Sequence, residues 1–269
     1  MIKGWYINLE QRSQRRLEME QQLDALGLSA DYQRVAAIDG QTLSLSTENQ
    51  LAPGEVGCWL SHYRVLQQAD GDCHVHVLED DAVLHPRFYA VLEHFLKQYS
   101  SEQWDILYTD IVVPHEVGNF KYLHNLMSQY RQDEQVRFLD INRVTYAAAT
   151  SYLVNRHSLP RLLKLLDQGW NTNTPYDIRL RQLANQGQLK AWVCFPFFST
   201  LADSSDESNI KSGSLAWRPF DLYRRSFYVD AHLEELLIRF EESPLHDDFH
   251  VRIYMRLLET IIDPDFKTF

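Results

Sequence analysis

The sequence predicts an α/β protein with a mostly parallel sheet flanked by helices. Three observations carry that expectation. Short runs rich in β-branched and aromatic residues alternate with longer runs whose apolar residues recur at helical intervals. Glycine and proline mark several boundaries between the runs, Gly27, Gly71 and Pro86 among them. A cluster of acids stands at the end of one apolar run, where open α/β sheets carry their ligands.

Taken in order, "GWYINL" reads as a first strand, and "RSQRRLEMEQQLDALGL" as a helix with Leu17, Leu23 and Leu26 inward and Gly27 as its stop. "YQRVAAIDG" is a second strand closing in an Asp-Gly turn. "LAPGEVGCWLSHYRVLQQADG" is a helix with Val56, Trp59, Leu60, Tyr63 and Leu66 on one stripe, ended by Gly71. "CHVHVL" is a strand, followed by Glu79, Asp80 and Asp81; Pro86 then opens the helix "PRFYAVLEHFLKQY". "WDILYTDIVV" and "VTYAAATSYLVN" are strands, and the polar stretch 114–143 between them reads as an irregular, mobile insertion. "HSLPRLLKLLDQG" and "TPYDIRLRQLANQG" are helices, the second with Thr174 as N-cap and Pro175 at its first position. "LKAWVCFPFF" is a strand, "STLADSSDESNIKSGS" a mobile loop, and 220–262 mainly helical. Residues 1–215 are expected as one α/β domain, with 216–269 as a helical extension packed on it.

Composition narrows the function. The chain has 269 residues, enough for a sizeable core, and a formal charge of −11. No basic stripe suits a nucleic acid. No apolar run approaches a membrane span, and the first sixteen residues are too polar for a signal peptide. Cys58, Cys73 and Cys194 are scattered without a Cys-x-x-Cys pair, which reads as reduced cytoplasmic thiols and neither a disulfide frame nor a zinc site.

The acids need a reason. Three neighbouring carboxylates repel, and desolvating them is costly unless a cation meets them. Alternate side chains of an extended segment point the same way, which aims Glu79 and Asp81 at one point. Mg²⁺ or Mn²⁺ suits all-oxygen ligation, with substrate phosphates completing the shell. The competing reading is a solvated turn with one acid stabilising the next helix.

The ordered segments "YINLEQRSQRR", "AIDG", "GEVGCWLSHYRVLQQA", "HVLEDDAVL", "TYAAATSYLVNRHSLPRLL" and "TPYDIRL" resemble glycosyltransferase family 25, over roughly residues 3–212. The resemblance implies a GT-A-type, Rossmann-like fold and a metal-dependent inverting glycosyltransferase. It implies a UDP-sugar donor, UDP-galactose first, and a lipopolysaccharide, lipooligosaccharide or other surface glycan acceptor. UDP-glucose or a UDP-N-acetylhexosamine is the alternative donor, and a catalytically silent sugar-nucleotide- or glycan-binding protein the alternative role. Glu79 and Asp81 are then the metal-side acids, with Asp80 between them on the donor.

The resemblance places Asn8, Arg12, Arg15, Arg16, Asp39, Ser61, His62, Ser208 and Asn209 at the donor. For the arginines the other reading is an exposed helix face pairing with Glu18 and Glu20; for Asp39, a turn; for His62, a structural histidine. His74 and His76 face one side of a strand, but inside it, and read as structural. Asp177 is the expected base, with Asp110 as its rival and helix-terminus stabilisation as the other reading of Asp177. Residues 144–152 depart from the run of the galactosyltransferase relatives, and the chain lacks their basic tail. At most a peripheral contact with the inner membrane is therefore expected, from the cytoplasm; no oligomeric state is assigned.

Overall fold

The computed structural model describes residues 1–45, 49–113, 117–167, 173–202, 224–232, 235, 236 and 238. The chain alternates strand and helix from its start. Strand β1 (Ile2–Asn8) leads through helix α1 (Ser13–Ala25) to β2 (Tyr32–Ala36). Helix α2 (Pro53–Gln68) leads to β3 (His74–Glu79) and the short β4 (Ala82–Leu84). Then follow α3 (Phe88–Gln98), β5 (Ile106–Tyr108), α4 (Val117–Asp133), β6 (Arg137–Asp140) and β7 (Ser151–Val154). Helices α5 (Leu159–Leu166) and α6 (Tyr176–Asn185) precede β8 (Ala191–Phe195) and β9 (Ser199–Leu201).

Seven strands form the central sheet in the order β2-β1-β3-β7-β5-β8-β6. β2, β1 and β3 are mutually parallel, β5 pairs parallel with β8, and β7 and β6 run against their neighbours. Five strands thus share one direction, so the sheet is mostly parallel. β4 and β9 make a separate antiparallel pair.

The sheet is buried on both faces, as parallel strands require. Odd-numbered residues of β3, Val75 and Val77, join Trp59, Leu123 and Leu162 in one apolar cluster on the α2 side. Even-numbered Leu78 joins Met19, Phe88 and Phe95 on the α1 and α3 side. A polar file crosses the second face. Tyr32 Oη meets His76 Nδ1 at 2.8 Å, and His76 Nε2 meets Ser151 Oγ at 3.2 Å. Thr109 Oγ1 then bonds Ser151 Oγ at 2.5 Å and Ser199 Oγ at 2.7 Å.

Several expectations change in detail. The stretch 114–143 is not an irregular insertion: it holds α4 and β6. Leu123, Leu126, Met127 and Tyr130 are buried, at the spacing i, i+3, i+4, i+7 of an amphipathic helix. Leu17 is 47% exposed, while Met19 takes its place inward. Pro175, not Thr174, occupies the N-cap of α6, and no side chain caps it. The loop expected from Ser199 begins instead as strand β9, held against β4. Gly27 does end α1, at a φ of 69° that favours glycine.

Most of the expected C-terminal extension lies outside the described residues, as does the 215/216 boundary. Where it is described, Phe227 is buried against Phe195 and Phe197, and its carbonyl accepts from the Phe197 N–H.

Candidate active site

The order of the strands makes the site. From β1 the chain crosses through α1 to β2 on one side, then through α2 to β3 on the other. The carboxyl ends of β1 and β3 therefore flank a topological switch point, where open sheets bind ligands. A cleft opens there, between the ends of β1 and β3, the loop after β2 and the first turns of α2.

The α2 wall stands close because two glycines let it. A Cβ on Gly57 would meet the Ile38 carbonyl oxygen at 2.5 Å, and one on Gly40 would meet that of Pro53 at 1.6 Å. Ser61 ties the contact. Its hydroxyl donates to the Gly57 carbonyl at 2.6 Å and accepts from the Ile38 N–H at 2.8 Å. Asp39 caps the following 3-10 turn, accepting from Gln41 N, and also accepts from Gln11 Nε2, both at 3.0 Å. Ser61 and Asp39 line the cleft while holding its wall.

The three acids divide between the faces of the sheet. Glu79 ends β3 on the α2 side, where its Oε1 lies 3.1 Å from His62 Nε2 and accepts from the Cys58 thiol at 3.8 Å. Asp80 turns to the α1 side, accepting from Asn8 Nδ2 at 2.7 Å and from Arg15 at 3.2 Å. Asp81 does not follow Glu79, as strict alternation would have it. The strand stops at Glu79 and the chain turns, so Asp81 shares Arg15 with Asp80, at 3.5 Å. All three line one cleft.

Their electrostatics are strained. Burial pushes the Asp81 carboxyl up to about 7, and the neighbouring charge of Glu79 adds to it. Burial also raises Asp80, against the opposing pull of Asn8 and Arg15. Asp81 Oδ1 is buried without a hydrogen-bond partner among the described residues. An orphaned carboxylate oxygen beside two further acids is a site short of positive charge.

The other expected residues distribute unevenly. Arg12 and Arg15 line the cleft. Arg16 points away and pairs with Glu20 at 2.8 Å on an exposed helix face. His62 is 1% exposed, stacked on Tyr176 with ring centroids 4.5 Å apart, and its Nδ1 meets Tyr152 Oη at 3.0 Å. Asp177 is not on the cleft wall: its carboxylate accepts from the N–H groups of Ala148 and Ile178, both at 2.8 Å. The first of these bonds holds Ala148 at a φ of 82°. Asp177 nevertheless stands near enough to help raise the Cys58 thiol. Asp110 is 1% exposed and ion-paired with Arg224. Ser208 and Asn209 lie outside the described residues. His74 and His76 are buried and neutral, depressed by burial to about 4 and about 3.

Sequence reasoning missed four participants. Cys58 stands one helical turn before His62, and that spacing was the available signal. Tyr152 and Tyr176 orient His62 through a hydroxyl pair at 2.9 Å, and nothing local in the sequence marks them. Arg224 arrives from the C-terminal segment, neutralises Asp110 and also draws Asp81 downward. Its distance along the chain hid it.

Fold and cleft define an α/β protein with an acidic cleft at the switch point of its sheet. A family model for glycosyltransferase family 25 (LPS biosynthesis protein) matches residues 1–180. The chain belongs to that family. Among similar proteins, the Anopheles gambiae "Glycosyltransferase 25 family member" is 32% identical over 127 residues, 39% of this chain and 21% of that protein. The Drosophila melanogaster "Glycosyltransferase 25 family member" is 30% identical over 122 residues, 38% of this chain and 20% of that protein. The Mus musculus "Inactive glycosyltransferase 25 family member 3" is 33% identical over 123 residues, again 38% and 20%. The chain spans about a fifth of the length of these relatives. No helix among the described residues is long and apolar enough to cross a membrane.

Proposed function

We propose that this chain is a metal-dependent, inverting glycosyltransferase. It moves a hexose, galactose from UDP-galactose first, onto a hydroxyl of a lipopolysaccharide-type or other surface glycan, free or lipid-linked. The observation that carries the reading is the acid cluster at the switch point, with the buried Asp81 Oδ1, which has no hydrogen-bond partner among the described residues, beside Glu79.

A hard divalent cation, Mn²⁺ or Mg²⁺, would be held by Glu79 and Asp81, which reach the same cleft from its two sides. When bound, such an ion supplies Lewis-acid stabilisation of the charge that builds on the departing diphosphate. The chain's own residues do the rest. Arg12 and Arg15 offer guanidinium donors to phosphate oxygens. The backbone from Ala37 to Gln41 forms the wall on which nucleoside stacks and hydrogen-bonds. Asp177 accepts the proton of the attacking hydroxyl. Asp177 is preferred to Asp110 because it is part-buried, although off the cleft wall, whereas Asp110 is fully buried against Arg224.

The test is UDP release from a panel of UDP-sugars with Mn²⁺ or EDTA. Metal-dependent release from one donor, lost in Asp177→Asn with donor affinity kept, is the expected result. Sugar-nucleotide binding without release, even with acceptor glycans supplied, favours instead the silent-binder role; one relative is itself named inactive.

A further inference from the structure

Glu79, a ligand in the diphosphate reading, also belongs to a second set in the cleft, with Cys58 and His62, to which that reading gives no part. Cys58 and His62 lie one turn apart on the face of α2 that meets the sheet, and Glu79 comes to them from the end of β3. Cys58 Sγ, His62 Nε2 and a Glu79 oxygen all lie within 4.8 Å of one another. The Nε2–Oε1 separation is 3.1 Å and the Sγ–Oε1 separation 3.8 Å. Ligand atoms on a tetrahedron with bonds of about 2.0–2.3 Å stand roughly 3.3–3.7 Å apart. Two of the three separations are therefore close to tetrahedral edges before any ion arrives, and the third is within 4.8 Å.

We propose that Cys58, His62 and Glu79 form a binding site for a borderline-soft divalent ion of the zinc class, with its fourth position open to the cleft. A thiolate, an imidazole and a carboxylate are a donor set that selects Zn²⁺ or Co²⁺ over Mg²⁺. The thiolate and carboxylate balance the ion's two charges, so the desolvated centre is neutral. All three residues line the cleft, which gives the ion an entry path.

The surroundings already serve such a site. Metal on Nε2 needs a proton on Nδ1 and an acceptor for it. Tyr152 Oη stands 3.0 Å from Nδ1, and Tyr152 in turn meets Tyr176 Oη at 2.9 Å. A neutral ring that donates from Nε2 to Glu79 accepts at Nδ1 from Tyr152. With metal, both hydroxyl bonds reverse: Nδ1 donates to Tyr152, and Tyr152 donates to Tyr176. No side chain has to move for the ring to change tautomer. The thiol proton leaves to solvent as the ion binds.

The two ions compete for Glu79. Zinc in this set takes that carboxylate from the diphosphate cation, so zinc acts as an inhibitor that Cys58→Ser relieves. The site itself does not depend on the transfer reading.

The test titrates the full chain, without sugar nucleotide, with Co²⁺ and separately with Zn²⁺ against a chromophoric chelator. The expected result is one ion per chain and a thiolate-to-cobalt charge-transfer band in the near ultraviolet. The band disappears in Cys58→Ser, and zinc affinity falls at least about tenfold there and in His62→Gln. Asp81→Asn and Cys73→Ser keep both signals. Absence of the band in the folded wild-type chain, or zinc affinity indifferent to Cys58→Ser, overturns the site. Failure of UDP release with the band present overturns only the transferase reading.

Discussion

The middle and the end of β3 solve one problem in opposite ways. His76, in the middle, is wholly buried, yet both ring nitrogens have partners and the ring stays neutral. At the end, Glu79, Asp80 and Asp81 crowd together. Arg15 serves two of them, and one oxygen of Asp81 has no partner among the described residues. A buried polar group that is fully matched belongs to the fold. One left short of charge marks where something else must bind.

The largest test of that contrast is Asp81→Asn. Removal of the orphaned carboxylate is expected to cut metal-dependent turnover by about 100-fold or more. The same change is expected to stabilise the metal-free protein. Burial holds the Asp81 pKa at about 7, above its ordinary value, so its ionised form opposes folding as pH rises through that range. Urea melts in EDTA at mildly alkaline pH should show a gain on the order of 1–2 kcal/mol. A loss of stability would mean that the acid serves the fold.

His76→Ala should do the reverse. It leaves the Tyr32 and Ser151 hydroxyls unpaired and opens a cavity, costing roughly 3 kcal/mol in denaturant melts. Sugar-nucleotide and zinc binding by the folded fraction should stay unchanged. A loss of binding would erase the distinction between the two regions.

The histidines also set a pH dependence. Their folded values, about 4 for His74 and about 3 for His76, lie below the ordinary one. The stability they protect is complete above about pH 6.5 and drains as pH falls toward those values, by up to about 1.4 kcal/mol per pH unit for each ring. His76→Gln should flatten that slope in unfolding curves taken across the window. An unchanged slope would assign the acid sensitivity to other groups.

The smallest effect separates two adjacent arginines. Arg15→Ala should weaken binding of the donor about tenfold, because it removes a cleft cation. Arg16→Ala should leave binding and melting temperature unchanged, since its pair with Glu20 is exposed. Equal losses in both would shift the donor site onto the outer face of α1.

Much of this was legible in the sequence because it is local. Strand and helix types followed from periodicity, and Glu79–Asp81 declared themselves by their place after an apolar run. The α4 stretch was misread because its polar residues outnumber the four that face inward, though Leu123, Leu126, Met127 and Tyr130 keep helical time. The facing of Glu79 and Asp81 depended on where the strand stops, which alternation alone does not say. Arg224 and the Tyr152–Tyr176 pair act across long stretches of chain, and one-dimensional patterns carry no trace of such meetings.

The polar file from Tyr32 through His76, Ser151 and Thr109 to Ser199 has a consequence for assembly. It passes through strands that are far apart in sequence and that run in both directions. Sliding β2, β3 or β7 by a single residue would swing Tyr32, His76 or Ser151 to the opposite face of the sheet. The abandoned groups would then sit dry and unmatched, at about 1–3 kcal/mol apiece. An apolar file would forgive such a slip. This one works as a combination lock, whose tumblers align only when every strand has found its place.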